Sequence, residues 1–264
     1  MPRNRRKSKK RALPIYHLFP SIMTIIGICV GLFALKAGMV HGQWEQSVIL
    51  MIIAGIIDGL DGKIARVLNA SSPFGAQLDS LADFLNFGVV PALIVYSWIT
   101  HEFKGVGWAV ALFFIICQAI RLARFNAKME MEYEIPELKD KFFEGIAAPM
   151  GAALSLLPMM LHFLFEQKFE TPPFQITASL VILYVSFIAL MMISTFPTFS
   201  LKGLNIPRRY TSILLGTVGF FVIAAITEPW ITFPFIGFLY FLTFPWCYYR
   251  YLAIKKNAPS TTQA

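Results

Sequence analysis

Charge is scarce in this chain. Asp, Glu, Lys and Arg together make 14% of its 264 residues, against 56% for the hydrophobic types. With a mean hydropathy of +0.62, that scarcity excludes an ordinary soluble domain, which carries about 25% charged residues. Cysteine is sparse too: Cys29, Cys117 and Cys247 are odd in number, far apart and set in apolar runs. They form no disulfide framework and read as small buried residues. The four histidines, His17, His41, His101 and His162, share no metal-ligand spacing, and neither a GxxxxGKS/T nor a GxGxxG phosphate loop occurs. No internal repeat is visible, which disfavours an inverted-repeat transporter. The longest polar insertion, roughly 128–143, is too short for a soluble domain.

What fills the chain is apolar sequence in lengths suited to a bilayer. A transmembrane helix needs about 20 mostly apolar residues, and eight such segments stand near 18–38, 46–67, 78–100, 106–126, 144–165, 175–195, 209–227 and 231–252. The expected fold is an all-α integral membrane protein of about eight helices. Residues 1–14 read as a basic tail, 15–254 as one polytopic domain with 209–252 as extra C-terminal helices, and 255–264 as a polar tail. The first segment follows RNRRKSKKR but is too long for a signal-peptide core and lacks a small-residue cleavage site, so it reads as a retained helix.

Cytoplasmic flanks collect Lys and Arg. With both termini inside, 20 of the 23 basic residues face the cytoplasm, and Lys36, Lys104 and Lys168 alone face away. The net charge of +8 then suits anionic headgroups and calls for no nucleic acid. Pro91, Pro149 and Pro158 fall inside segments and predict kinks. Gly55 and Gly59 form a GxxxG pair that predicts close helix packing.

Against this background DGLDGKIARVLNASSPFGAQLDSLAD, residues 58–83, concentrates four carboxylates. Asp58 and Asp61 are three apart and Asp79 and Asp83 four apart, so each pair lies on one helical face. The intervening NASSPFG supplies turn residues that let the two faces meet. Four aspartates at membrane depth would cost on the order of 10 kcal/mol before mutual repulsion, so a cation must compensate. Oxygen ligands without His or Cys match the hard divalent ions Mg²⁺, Mn²⁺ or Ca²⁺, and two ions could share the site in a displacement at phosphorus. Asp61 lies about 15 residues into its segment, or roughly 22 Å at 1.5 Å per residue, in the cytoplasmic half. The rival readings are a solvated loop, pairing with Lys63 and Arg66, or a cation or proton pathway. A pathway would carry polar residues through to the far leaflet, where this chain is largely apolar.

The pattern Asp58-x2-Asp61-Gly62-x2-Ala65-Arg66-x8-Gly75-x3-Asp79-x3-Asp83 resembles, without gap or substitution, the signature of the CDP-alcohol phosphatidyltransferase family. DSLAD followed by FGVVPA, then QAIRLARFN, EGIAAP and FSLKGLNIPRR, resemble its phosphatidylserine synthase branch. The resemblance implies transfer of a phosphatidyl group from CDP-diacylglycerol to L-serine, giving phosphatidylserine and CMP. It also implies two divalent ions held by Asp58, Asp61, Asp79 and Asp83, with Asp83 as general base. Gly62, Ala65 and Gly75 would admit the nucleotide to the backbone, and Arg66 would pair with phosphate.

Arg121 and Arg124, three apart on one helical face, are candidates to meet the acceptor's carboxylate or the lipid phosphate, and Lys202, Arg208 and Arg209 form a second candidate set. Glycerol phosphate, inositol phosphate and choline are rival acceptors. The phospholipase-D-like route to the same product needs an H-x-K motif, and no histidine here is followed by x-Lys. A homodimer in the cell membrane, with its active site facing the cytoplasm, completes what the resemblance implies.

Overall fold

Helix follows apolar sequence almost throughout, as it must where a bilayer offers the backbone no hydrogen-bond partners. The computed structural model describes residues 18–68, 70, 72–129, 142–169, 176–199 and 207–257. The basic tail and most of the polar tail lie outside them. The helices are α1 (Phe19–His41), α2 (Trp44–Val67), α3 (Pro73–Phe84), α4 (Val90–Trp98), α5 (Lys104–Met129), α6 (Ala148–Ser155), α7 (Leu157–Lys168), α8 (Ala178–Ile193), α9 (Thr211–Thr227) and α10 (Pro229–Asn257).

Among the described residues five stretches are long and apolar enough to cross a membrane: Phe19–His41, Pro73–Trp98, Thr100–Ala127, Ala148–Lys168 and Pro229–Arg250. Ala178–Ile193 and Thr211–Thr227 are apolar but shorter. The helix α2 has the length, but Glu45, Asp58, Asp61, Lys63 and Arg66 dilute its apolar character.

Small residues bring the first two helices together. Thr24, Gly27, Gly31, Ala34 and Gly38 recur at helical spacing and form the buried face of α1. The hairpin closes at Gly42, whose φ of +65° favours glycine, and the Ser47 hydroxyl donates to the Ala34 carbonyl at 2.8 Å. Gly31 admits a partner from elsewhere, because a Cβ there would collide with the Asn86 amide. The main core joins α1, α2, α4, α5, α7 and α8 through Ala34, Val48, Val90, Ile94, Phe114, Met159, Val181, Ile188 and Met192, all fully buried. By contrast α9 buries none of its residues, and Ile213, Leu215, Phe220 and Ile226 point outward, as suits a helix bathed in lipid.

Pro91, Pro149 and Pro158 act as starts rather than bends, whereas Pro234 and Pro245 lie inside α10. Pro149 and Pro158 lie in the first turns of α6 and α7, where a missing N–H costs nothing. The expected kink at Pro149 is therefore a helix start, and the break between α6 and α7 falls at Leu156. Pro91 opens α4 after a π-helical turn, Leu85–Val89, that links it to α3.

Two further expectations are corrected. Gly55 touches Phe87, but a Cβ on Gly59 would meet nothing, so close packing accounts for only one of that pair. Cys29 is exposed, while Cys117 and Cys247 are buried as expected. The fold is also not wholly helical, since strands β1 (Phe142–Glu144) and β2 (Pro197–Phe199) pair antiparallel, with Phe143 opposite Thr198. Gly145 turns the chain out of this ribbon at φ +71°, where a Cβ would lie 2.6 Å from the Met192 carbonyl oxygen.

Candidate active site

The turn expected at NASSPFG is where the chain reverses. Ser72 caps α3, its hydroxyl accepting the Gly75 N–H at 3.0 Å, and Pro73 occupies the first turn. Gly75 is small for a local reason: a Cβ there would lie 3.1 Å from Ser72 Oγ and 3.6 Å from Ser21 Oγ. Gly62 sits on an open face where a Cβ would touch nothing, and Ala65 is half-buried beside it. Arg66 is exposed, its Nε donating to the Gly62 carbonyl at 3.1 Å.

This reversal sets the end of α2 against the start of α3 and brings all four aspartates into one group. Asp58 has Asp83, Asp61 and Asp79 as electrostatic neighbours, with the Asp83 carboxyl within hydrogen-bonding reach. Asp61 is 2% exposed, and the Thr24 hydroxyl of α1 stands beside it. Both Asp61 oxygens and Asp58 Oδ1 are buried with no hydrogen-bond partner among the described residues. Among the described residues no Lys or Arg comes within ion-pair distance of the four, which removes pairing with Lys63 or Arg66.

A buried, unpaired charge is strongly unfavourable, and the orphaned oxygens are the donor type that a hard divalent cation takes. The donor set fits such an ion. Its geometry is open, since among the described residues no three acidic, His or Cys groups yet converge as metal ligands.

One wall of the group comes from α5. Arg121 has Asp83 as an electrostatic neighbour. Its Nε donates to the Ile146 carbonyl at 2.7 Å. Arg124 Nη2 donates to the Ile193 carbonyl, so both arginines tie down the chain on either side of the β ribbon. The Arg121 terminal nitrogens make no hydrogen bond among the described residues, which leaves a cationic fork beside Asp83. Asn126 reaches Ser80 of α3 at 3.2 Å and holds α5 against it. Lys202 lies outside the described residues.

Several polar residues at this end escaped the sequence reading. Asn86, one turn beyond Asp83, and Gln118, one turn before Arg121, are wholly buried amides with every side-chain N and O unpartnered among the described residues. Thr24 was legible in principle as the polar member of the small-residue stripe on α1. Tyr240 of α10 meets Thr198 and the Ala147 backbone and has Arg121 as an electrostatic neighbour, and no local pattern marks it.

Residues 17–196 match the CDP-alcohol phosphatidyltransferase family, and residues 209–245 match a second family described as CDP-alcohol phosphatidyltransferase 2. The chain is 34% identical over 214 residues to the CDP-diacylglycerol–serine O-phosphatidyltransferase of Mycobacterium tuberculosis, covering 81% of this chain and 72% of that protein. It is 31% identical over 255 residues to the Mycobacterium leprae protein of the same name, covering 96% and 82%. To the Bacillus subtilis protein of that name it is 38% identical over 170 residues, covering 59% and 90%. The two facing aspartate pairs lie within the longer match, and the chain belongs to the CDP-alcohol phosphatidyltransferase family.

Proposed function

We propose that this protein transfers the phosphatidyl group of CDP-diacylglycerol to L-serine, giving phosphatidylserine and CMP. The observation that carries the reading is the group of four aspartates, three of whose oxygens are buried and unpartnered among the described residues, with the Arg121 guanidinium as an electrostatic neighbour of Asp83. The relatives' names support the substrate pair.

In the proposed reaction the serine hydroxyl oxygen forms a bond to the lipid-side phosphorus as the bond from that phosphorus to the bridging oxygen breaks. CMP departs with the bridging oxygen. Asp83 takes the hydroxyl proton and releases it to water. Asp58, Asp61, Asp79 and Asp83 would hold Mg²⁺ or Mn²⁺, which when bound supplies charge neutralisation on the diphosphate and the leaving oxygen. Gly62, open toward solvent, lets the nucleotide approach the end of α2. Arg66 is placed to meet phosphate, and Arg121 to receive the carboxylate of serine.

Eight spans, both termini inside and a cytoplasmic site extend the reading, supported by the basic flanks at the aspartate end. A homodimer is expected on family grounds alone. Single cysteines placed at positions 63 and 104 of a cysteine-free variant would label from opposite sides of sealed vesicles if the topology is right.

The deciding experiment supplies purified protein with CDP-diacylglycerol, Mg²⁺ or Mn²⁺, and labelled serine, glycerol phosphate, inositol phosphate or choline in turn. Serine-dependent CMP release with labelled phosphatidylserine is expected. Product with another acceptor and none with serine would replace the acceptor, and no CMP release with any would refute the transferase.

A further inference from the structure

The second family match, residues 209–245, is carried by α9 and α10 and lies beyond the stretch that contains the aspartates. Its docking is specific. Tyr240, Phe244 and Tyr248 recur every four residues and so share one face of α10. Tyr240 meets Phe244 edge-on at 5.2 Å, and Phe196, just before β2, lies 5.7 Å from Phe244 and stacks on Tyr248 at 5.4 Å. Gly237 lets the same helix approach the α6–α7 break, where a Cβ would fall 2.6 Å from Leu157 Cδ1.

This packing delivers the polar end of Tyr240 to the Thr198 side chain and the Ala147 backbone, with the Arg121 guanidinium as an electrostatic neighbour. Thr198 in turn donates to the Gly145 carbonyl at 2.7 Å, and the next carbonyl, Ile146, holds Arg121 Nε at 2.7 Å. A continuous set of contacts thus runs from α10 through the ribbon to the cation beside Asp83.

We propose that Tyr240 is a positioning residue that fixes the Gly145–Ala147 turn, and through it Arg121, to receive the α-carboxylate of an amino-acid acceptor. The C-terminal helices then set acceptor selectivity rather than merely anchoring the chain. This rests on the serine reading above.

The test compares serine with serinol, which keeps the hydroxyl and amine but lacks the carboxylate, in wild type, Tyr240→Phe and Phe235→Leu. Tyr240→Phe keeps the ring packing and removes only the hydroxyl. It should raise KM for serine about tenfold, the effect of weakening one charge-assisted contact, while KM for CDP-diacylglycerol and the serinol rate stay within about twofold. Phe235→Leu, a packing change where α10 stacks on Phe221 of α9, should leave the serine-to-serinol ratio as in wild type. An unchanged ratio in Tyr240→Phe, whatever its total activity, overturns the proposal and leaves Tyr240 a packing residue. A wild type that makes no phosphatidylserine overturns the acceptor reading itself, a result read before any variant is examined.

Discussion

Replacing Asp61 by Asn should make the cation-free protein more stable and the cation-loaded protein less so. Asp61 is 2% exposed, neither oxygen has a partner among the described residues, and three other carboxylates are close by. An unsatisfied buried polar group costs about 1–3 kcal/mol, and more when charged. Removing the charge while keeping the shape should therefore return about 1 kcal/mol, or roughly 2–4 °C in Tm for a chain of this size. The cation acts in the opposite sense. At a hundred times its Kd a ligand adds about 2.7 kcal/mol, so wild type should gain roughly 5–10 °C on moving from EDTA to saturating Mn²⁺. The variant should gain little, because one of the donors is neutral. The five tryptophans give an intrinsic fluorescence signal for melting in detergent. A variant that melts below wild type in EDTA, or that keeps the full Mn²⁺ shift, refutes the argument that these orphaned oxygens await a cation.

Asp83→Asn should lower kcat by about 10²–10⁴-fold, the range for loss of a general base, while photo-crosslinking to a CDP-diacylglycerol analogue persists; activity near wild type would remove it as base. Arg121→Ala should raise KM for serine far more than KM for CDP-diacylglycerol, and equal effects on both would sink its assignment to the acceptor. Ser72→Ala removes the cap of α3 and should cost about 1 kcal/mol, seen as a lower Tm with KM values little changed.

Much of this arrangement is legible in the primary structure because membranes impose crude rules. Apolar length places the helices, and the run from Asn69 to Gly75 announces the reversal because Ser72 and Pro73 have defined places at a helix start. Aspartate spacing then puts each pair on one face without further information. What stays hidden depends on partners distant in sequence. Strands of three residues at 142–144 and 197–199 carry no alternation long enough to see, and their pairing exists only because α6 and α8 bring them together. Gly59 looked like a packing glycine because its spacing to Gly55 fits one, yet only a neighbouring surface could decide, and none is there. Tyr240 reads as one more aromatic in an aromatic-rich helix, and its role emerges only when Phe196 and Thr198 are set against it.

The π-helical turn at Leu85–Val89 is a phase adjuster. Each residue of an α-helix advances about 100° around its axis, so a five-residue turn of wider winding lets the stretch before it and the stretch after it keep different bearings. Asp79 and Asp83 look toward α2, while Val90, Ile94 and Val95 look into the main core. Deleting one residue from this turn would restore regular winding and force a choice. Either the carboxylates swing off target by roughly a quarter turn, or the core residues do, so chemistry and packing coexist in one span only because the helix slips a residue between them.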